Sequence, residues 1–512
     1  VYATHVLLQQ PDGRFLQEDS LPGVGYRSKV AKDEGILLFD ADGDGSTDIY
    51  IASGGYELPP GSNGYRDRLY INDGKGHFSM DTLDLPENYT SKFCVRAMDY
   101  NQDGKPDLFI SGRVDPWNYP RPVSSCILRN DSEKGHVKFT DVTDEVAPGL
   151  KNIGMVCDAL FTDFDGDNQT DLIVAGEWMP VTFFKNTNGK FSNVTATTGV
   201  GRLSGWWNSI AAGDFRHTGR TDYIIGNAGE NTLYQASDEY PVYMTAGDLE
   251  GNGRTVGVPS LYLPDQKGIK KEFPAMGRDD MIRQINSLRR RFPNYKSYAE
   301  ATLDQVLTPE QRKGALRLKA NMLQSCYLRN EGGGKFTVIP LPKEAQVSTL
   351  NGMVVDDFDG DGNLDVLING NDYGTSIGVG RYDALNGLLL KGDGAGGFKP
   401  LTMLQSGIYI PGNGRALVRL RGSKGECLVA ASQNKNDLKL YALKRKTGNV
   451  PVRPDDVSAI VSFRNGKREK KELYYGSSFL SQSVRSIMTG EDVTSITITN
   501  SRHETRTVRT GQ

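Results

Sequence analysis

Four carboxylates crowd into nine residues at DADGDGSTD, positions 40–48: Asp40, Asp42, Asp44 and Asp48. Like charges at that spacing repel unless they are fully solvated or share a cation. The pattern returns as DYNQDGKPD from Asp99, DFDGDNQTD from Asp163 and DFDGDGNLD from Asp357. Acids at positions 1, 3, 5 and 9, with a turn residue at 6, wrap hard oxygens around one point, which suits calcium. The predicted ligands are Asp40, Asp42, Asp44 and Asp48; Asp99, Asn101, Asp103 and Asp107; Asp163, Asp165, Asp167 and Asp171; Asp357, Asp359, Asp361 and Asp365. Position 7 adds a backbone carbonyl from Ser46, Lys105, Gln169 or Asn363. Asn101 still offers an oxygen, and Asn168, in place of the glycine, tolerates a left-handed turn. About four calcium sites are expected.

The competing reading is a solvated Asp-Gly turn, common in β proteins. Four copies in register weigh against it. An EF-hand would need Glu at position 12, where Ile51, Ile110, Val174 and Ile368 stand. Three degenerate copies share the phase: DFRHTGRTD from Asp214, DLEGNGRTV from Asp248 and RLRGSKGEC from Arg419. Arg216, Arg419 and Arg421 put cations where ligands belong, so those loops should hold no metal. The Asp248 loop keeps Glu250 and Asn252 but ends in Val256.

The acid loops need elements to hold them. Each runs into an apolar strand-like stretch: IYIASGG, LFISGR, LIVAGE, VLINGN. A second unit alternates with the first, an apolar run, a Gly turn and then Phe, as in DRLYINDGKGHF, VTFFKNTNGKF and SCYLRNEGGGKF. Those are hairpin signals. Strand, acid loop, strand, connection, strand, Gly turn, strand, over about 50–65 residues, is one propeller blade. The expected fold is all-β, a seven-bladed propeller over residues 1–446. HVLLQQPDGRF at the start is a hairpin without its loop, and counting its missing part gives eight blades. Val1, with no Met and no leader before it, predicts a processed or trimmed chain.

These strand-flanked DxDxDGxxD loops resemble the FG-GAP/VCBS repeat of integrin α-subunit propellers. The tail, KKELYYGSSFLSQS then VTSITITN, resembles the ASPIC/UnbV domain of cartilage-acidic-protein-like proteins, without an FGLG-like turn before its last strand. RDDMIRQINSLRRRFPNYKSYAEATLDQV is similar to an insertion in large bacterial surface proteins of this kind. The resemblance implies a bacterial cell-surface or outer-membrane-associated protein, such as a lipoprotein subunit beside an import or assembly complex, or a secreted one.

Strand parity puts acid loops and Gly hairpins on one face and the longer connections on the other. That second face receives Tyr56, Tyr65, Arg113, Trp117, Tyr119, Trp178, Trp206, Trp207, Tyr373 and Arg381. Aromatic and Arg side chains on long loops of a rigid scaffold suit a ligand or partner protein. Equally, large rings plug gaps between blades. An insertion over about 265–323 lands on the same face and reads as helical. Met281, Ile282, Ile285, Leu288 and Phe292 form its apolar stripe, and Thr308-Pro309-Glu310-Gln311 a capping box. Arg289, Arg290 and Arg291 suit either an acidic partner or a solvated helix face. Residues 447–456 read as a linker, and 457–512 as a small C-terminal β domain.

Net charge of −3 gives no bulk attraction to nucleic acid. No apolar run is long enough for a transmembrane helix. Five scattered cysteines make neither a disulfide framework nor a zinc site and read as buried thiols. Nucleophile elbow and zinc motifs are missing too. The expectation is a non-enzymatic, calcium-stabilised extracytoplasmic binding or assembly module for a protein, glycan or peptide. The alternatives are a carbohydrate- or peptide-processing enzyme with its active site at the propeller mouth, or a purely structural adhesin.

Overall fold

The structure, a computed structural model, describes residues 4–17, 21, 32–81 and 84–510. Antiparallel sheets dominate it. Six carry the strand order of the repeat. The first comprises Lys32–Phe39, Asp48–Gly54, Arg68–Asn72 and Phe78–Asp81; the second Ser91–Met98, Asp107–Val114, Cys126–Asn130 and Phe139–Asp141. The third is built of Met155–Thr162, Asp171–Pro180, Thr182–Thr187 and Lys190–Asn193, with Ser204–Trp206 added beside its second strand. The fourth holds Ser209–Gly213, Asp222–Gly226, Cys326–Gly332 and Lys335–Pro340; the fifth Leu350–Asp356, Asp365–Gly370, Leu388–Gly392 and Phe398–Leu401. The sixth has only Gly414–Arg421, Cys427–Gln433 and Lys439–Ala442. Among the described residues the repeat order therefore appears in six sheets, where the sequence pattern led to an expectation of seven or eight.

The sheets pack in chain order, and one apolar cluster fills each gap. Leu37, Tyr50, Val95 and Leu108 lie between the first two, and Phe109, Phe161, Leu172 and Phe184 between the next two. Equivalent clusters lie between the third and fourth, fourth and fifth, and fifth and sixth. Inner strands covered on both faces lose the polar alternation, which is why Asp48–Gly54 and Met155–Thr162 are buried throughout. A glycine near the end of the second strand in the first five repeat sheets is fixed by crowding: a Cβ at Gly112 would run into the Ser124 carbonyl, and one at Gly370 into that of Thr349.

The copy at Asp248 belongs elsewhere. In the fourth sheet the second strand, ending at Gly226, pairs with Cys326–Gly332, so everything from 227 to 325 is an excursion between two adjacent strands. The helices fall inside the expected 265–323, but the insertion starts earlier and brings its own sheet of Lys270–Pro274, Val256–Pro264, Val242–Gly247 and Leu316–Ala320. The expected stripe is split between two short helices, Arg278–Gln284 and Leu288–Arg291. Met281, Ile282, Ile285, Leu288 and Phe292 are all buried in one cluster with Leu249 and with Val256 and Val258 of the inserted sheet. The capping box at Thr308 forms as expected.

The expected linker 447–456 also contains structure. Gly448–Pro451 is a strand paired with Ser486–Thr489. A C-terminal sheet of Arg468–Glu472, Asp456–Phe463, Val493–Asn500 and Thr505–Arg509 follows. The segment leaving it threads among the first strands of the repeat sheets. Leu480 accepts from Ile36 N, Tyr475 from Ala97 N, and the Ser478 hydroxyl from Met353 N at 2.7 Å. Arg419 N donates to Ser483 Oγ and Val484 N to the Arg419 carbonyl. Thus residues 475–484 touch the first, second, fifth and sixth sheets. Ser478, Phe479 and Leu480 all have positive φ, at 61°, 45° and 60°, a left-handed turn that only such enclosure maintains.

Candidate metal centre

Every acid loop joins the first two strands of its sheet, so the loops share one end of the strands. The position-1 aspartate sets the shape. Asp40 accepts from Gly43 N at 2.8 Å and Gly45 N at 3.0 Å, Asp99 from Asp103 N and Gly104 N, and Asp357 from Gly360 N and Gly362 N. Asp214 and Asp248 make the same pair of bonds in the degenerate loops. Loop shape is therefore independent of the full acid set.

The position-9 aspartate anchors the loop to its sheet. Asp48, Asp107, Asp171 and Asp365 are buried at the start of the second strand. Each accepts from a backbone N–H at or one residue before the end of the third strand: Asn72, Asn130, Asn186 and Gly392, at 2.9, 2.8, 2.7 and 3.0 Å. The second oxygen is taken by Ala41 N for Asp48 and Phe358 N for Asp365. Asp107 Oδ2 and Asp171 Oδ2 are buried with no hydrogen-bond partner.

Three groups bring carboxylate oxygens within 4.8 Å of one another: Asp40, Asp42 and Asp48; Asp163, Asp165 and Asp171; Asp357, Asp359 and Asp361. In the second loop Asn101 takes one acid's place, and its amide donates to Asp103 Oδ2 at 3.0 Å. Burial, then neighbouring carboxylates, pushes Asp48 up to about 6 and Asp107 and Asp171 to about 8. Asp365 rises to about 7, again chiefly through burial. Crowded hard oxygens, two orphaned buried carboxylate atoms and carboxyls that resist ionisation are a donor set that fits a divalent cation. Of position 7, the N–H groups of Ser46, Lys105, Gln169 and Asn363 bond to position 5 of their own loops.

Lysines answer part of this charge. Lys185 reaches Asp165 and Asp167 of the third loop, and Lys391 reaches Asp359 and Asp361 of the fifth sheet. The matching residue is Ile71 in the first sheet, and in the second Arg129, which pairs with Asp131. In the fourth sheet Arg216 forms a two-point pair with Asp222, a cation in place of a ligand, as its sequence implied.

One functional residue was missed. The asparagine closing the third strand also staples neighbouring sheets. Asn130 Nδ2 donates to the Ala41 carbonyl, Asn186 Nδ2 to Tyr100 and Asn330 Nδ2 to Phe164, each in the preceding sheet's loop. The signal was present in the recurring YIN, LRN and FKN of the hairpins.

The aromatic set is largely internal. Trp178, Trp207 and Tyr65 are buried, and Trp178 packs with Met155 against Val242, Met244 and Ala320 of the insertion. Trp206 stacks edge-on between Trp178 and Tyr234, at 5.1 and 5.0 Å. Tyr119 donates to Glu177 at 3.0 Å and accepts from Trp178 Nε1 at 2.8 Å, while Arg113 pairs with Glu177. These rings hold the insertion to the third sheet. Trp117 and Tyr56 remain open at 54% and 41% exposure, and Arg381 lies over the Tyr373 ring at 4.6 Å. All five cysteines are buried and unpaired.

Residues 40–110 and 163–225 match the family described as FG-GAP-like repeat. Cartilage acidic protein 1 of Mus musculus is 22% identical over 371 residues, 69% of this chain and 50% of the relative, so the chain spans about half the length of the curated relative it matches. Among solved structures, the V. cholerae biofilm matrix protein Bap1 is 12% identical, with 87% of this chain and 82% of that one covered, at a TM-score of 0.30. The exotype rhamnogalacturonan lyase YesX is 11% identical over 94% of this chain and 76% of its own, at 0.31. Similarity that low in TM-score carries no argument about fold or activity. The acid loops from Asp40, Asp99 and Asp163 and their strands thus lie in segments similar to the FG-GAP-like repeat, and a more distant likeness to cartilage acidic protein 1 extends over 371 residues.

Proposed function

We propose that this chain is a non-enzymatic, calcium-stabilised binding or assembly module working outside the cytoplasm. FG-GAP repeats suggest an extracellular binding or adhesion role. The observation that carries the calcium reading is the clustering of loop carboxylates within 4.8 Å of one another. Asp40, Asp42, Asp44 and Asp48 would hold one ion, and the loops from Asp99, Asp163 and Asp357 the others. The ion would offset repulsion that the loops otherwise bear, and free calcium is abundant enough for weak oxygen sites only outside the cell.

In this reading the six sheets form a propeller, with residues 475–484 of an ASPIC/UnbV-like C-terminal domain bracing its inner strands. A protein partner, such as a surface or outer-membrane import or assembly complex, or a glycan or peptide, would meet the face away from the acid loops. Trp117, Tyr56 and the Tyr373–Arg381 pair are its accessible anchors.

The test is thermal denaturation and calorimetric titration of the metal-stripped chain. Calcium at a hundredfold excess over its Kd should stabilise by about 2.7 kcal/mol per site. Asp42→Asn with Asp44→Asn should remove one site from the titration. Identical melts in calcium and chelator would overturn the calcium reading.

A further inference from the structure

The first five repeat sheets each complete the four-strand order, the third with one further strand beside it, and the sixth has only three strands. Its third strand, Lys439–Ala442, pairs with Cys427–Gln433 on one side, and among the described residues no strand pairs on the other. The chain explains the vacancy. After Ala442 it should turn back, as it does in the other sheets, but the next strand, Gly448–Pro451, is taken by Ser486–Thr489 of the C-terminal region.

The edge left behind is competent for pairing. Leu443 N donates to the Cys427 carbonyl at 2.9 Å. Alternation along an antiparallel ladder then turns the N–H and C=O of Leu440 and Ala442 outward. Apolar side chains flank it: Leu438 is 55% exposed, Leu440 46% and Tyr409 55%, and the Tyr409 backbone bonds to the Tyr441 hydroxyl. Charge selects the occupant. Lys435, Lys439, Lys444 and Lys446 surround the strand, and none forms an ion pair among the described residues. A second copy pairing edge to edge would bring these lysines together, the arrangement by which edges avoid self-association. An acidic strand meets no such barrier.

We propose that this edge captures one extended, acidic, alternately apolar segment of a partner protein, which becomes the fourth strand of the sixth sheet. Main-chain bonds supply the pairing, Leu438, Leu440 and Tyr409 the apolar contacts, and the lysines the selectivity. Nothing in this recognition uses a metal ion, so it stands apart from the calcium reading and should survive chelation.

The test uses the whole chain and a labelled eight-residue peptide alternating valine and glutamate, capped at both ends. Anisotropy should show saturable binding that weakens with salt, and hydrogen exchange should slow at Leu440 and Ala442. The same peptide with lysine for glutamate, or with alternate backbone nitrogens methylated, should not bind. Leu440→Pro removes an outward N–H while sparing the ladder and should abolish binding. Lys444→Glu with Lys446→Glu, surface changes that leave the melt unaltered, should weaken it at least tenfold. The proposal is overturned by no binding of the acidic peptide, by equal binding of the lysine peptide, by protection elsewhere, or by a dimer in sedimentation that Leu440→Pro dissolves.

Discussion

Arg216 grips Asp222 at two points, Nε to Oδ2 at 3.1 Å and Nη2 to Oδ1 at 2.9 Å, within a loop otherwise shaped like the acid-rich loops from Asp40, Asp99, Asp163 and Asp357. The guanidinium comes from position 3, where the four acid-rich loops place an acid or amide, and it neutralises position 9. Asp222 also accepts from Asn330 N and the Tyr327 hydroxyl, at 2.7 and 2.6 Å. The fourth loop thus carries its cation covalently.

Arg216→Met should therefore leave a buried, unpaired carboxylate and destabilise the chain by about 3 kcal/mol. Chemical denaturation in calcium and in chelator should give the same loss. A loss confined to the calcium-loaded protein would mean that this loop binds metal after all.

In the calcium reading, the lysines over the third loop and the fifth sheet's loop would act as competitors. Lys185 Nζ lies 2.7 Å from Asp167 Oδ2 and Lys391 Nζ 3.0 Å from Asp361 Oδ2, where an entering cation must displace them. Lys185→Met should raise calcium affinity at the third loop by about tenfold, or ~1.4 kcal/mol, while lowering the melting temperature of the metal-free chain. Lys391→Met should behave alike in its own loop. Calorimetric titration checks both, and weaker calcium binding in either variant would show the lysine to be a helper.

Asn186 links two sheets through one side chain: its Nδ2 donates to Tyr100 O at 3.0 Å and Thr170 O at 2.9 Å, and its Oδ1 accepts from Gly189 N at 2.8 Å. Asn186→Ala strands buried polar groups on both sides and should cost about 2–3 kcal/mol. Urea denaturation with an unchanged m-value would register it; a loss under 0.5 kcal/mol would mean that water replaces the amide at little cost.

These residues also mark what the sequence discloses. The acid loops were legible because their spacing is local and repeated, and the strand order followed from the same rhythm. The asparagine role was not, since its partners lie in the preceding sheet, 86 residues away in the case of Asn186 and Tyr100. The Asp248 loop looked like one more repeat because loop shape depends on a single aspartate. Only pairing of Asp222–Gly226 with Cys326–Gly332 reveals its sheet as inserted. The Trp residues read as loop residues, yet Trp178 and Trp206 lie in strands and Trp207 packs between the third and fourth sheets; what covers Trp178 comes from the insertion, a contact no local pattern encodes.

Glu34 gives the chain a pH dependence separate from the acid loops. It sits half-buried in the first strand of the first sheet, and burial pushes its carboxyl from 4.5 up to about 7, against the opposing pull of Arg415, Lys32 and Arg113. The folded chain therefore holds a proton that the unfolded chain releases above pH 4.5. Stability from this group is fully present below about pH 4.5 and is lost as pH rises through about 7. Glu34→Gln keeps the neutral form at every pH. The variant should match the parent at pH 4 and exceed it by about 3 kcal/mol at pH 8. Denaturation of both proteins across that range, at one fixed calcium concentration, cancels the titration of the acid loops. Parallel curves would mean that Glu34 ionises normally, with Arg415, Lys32 and Arg113 outweighing its burial.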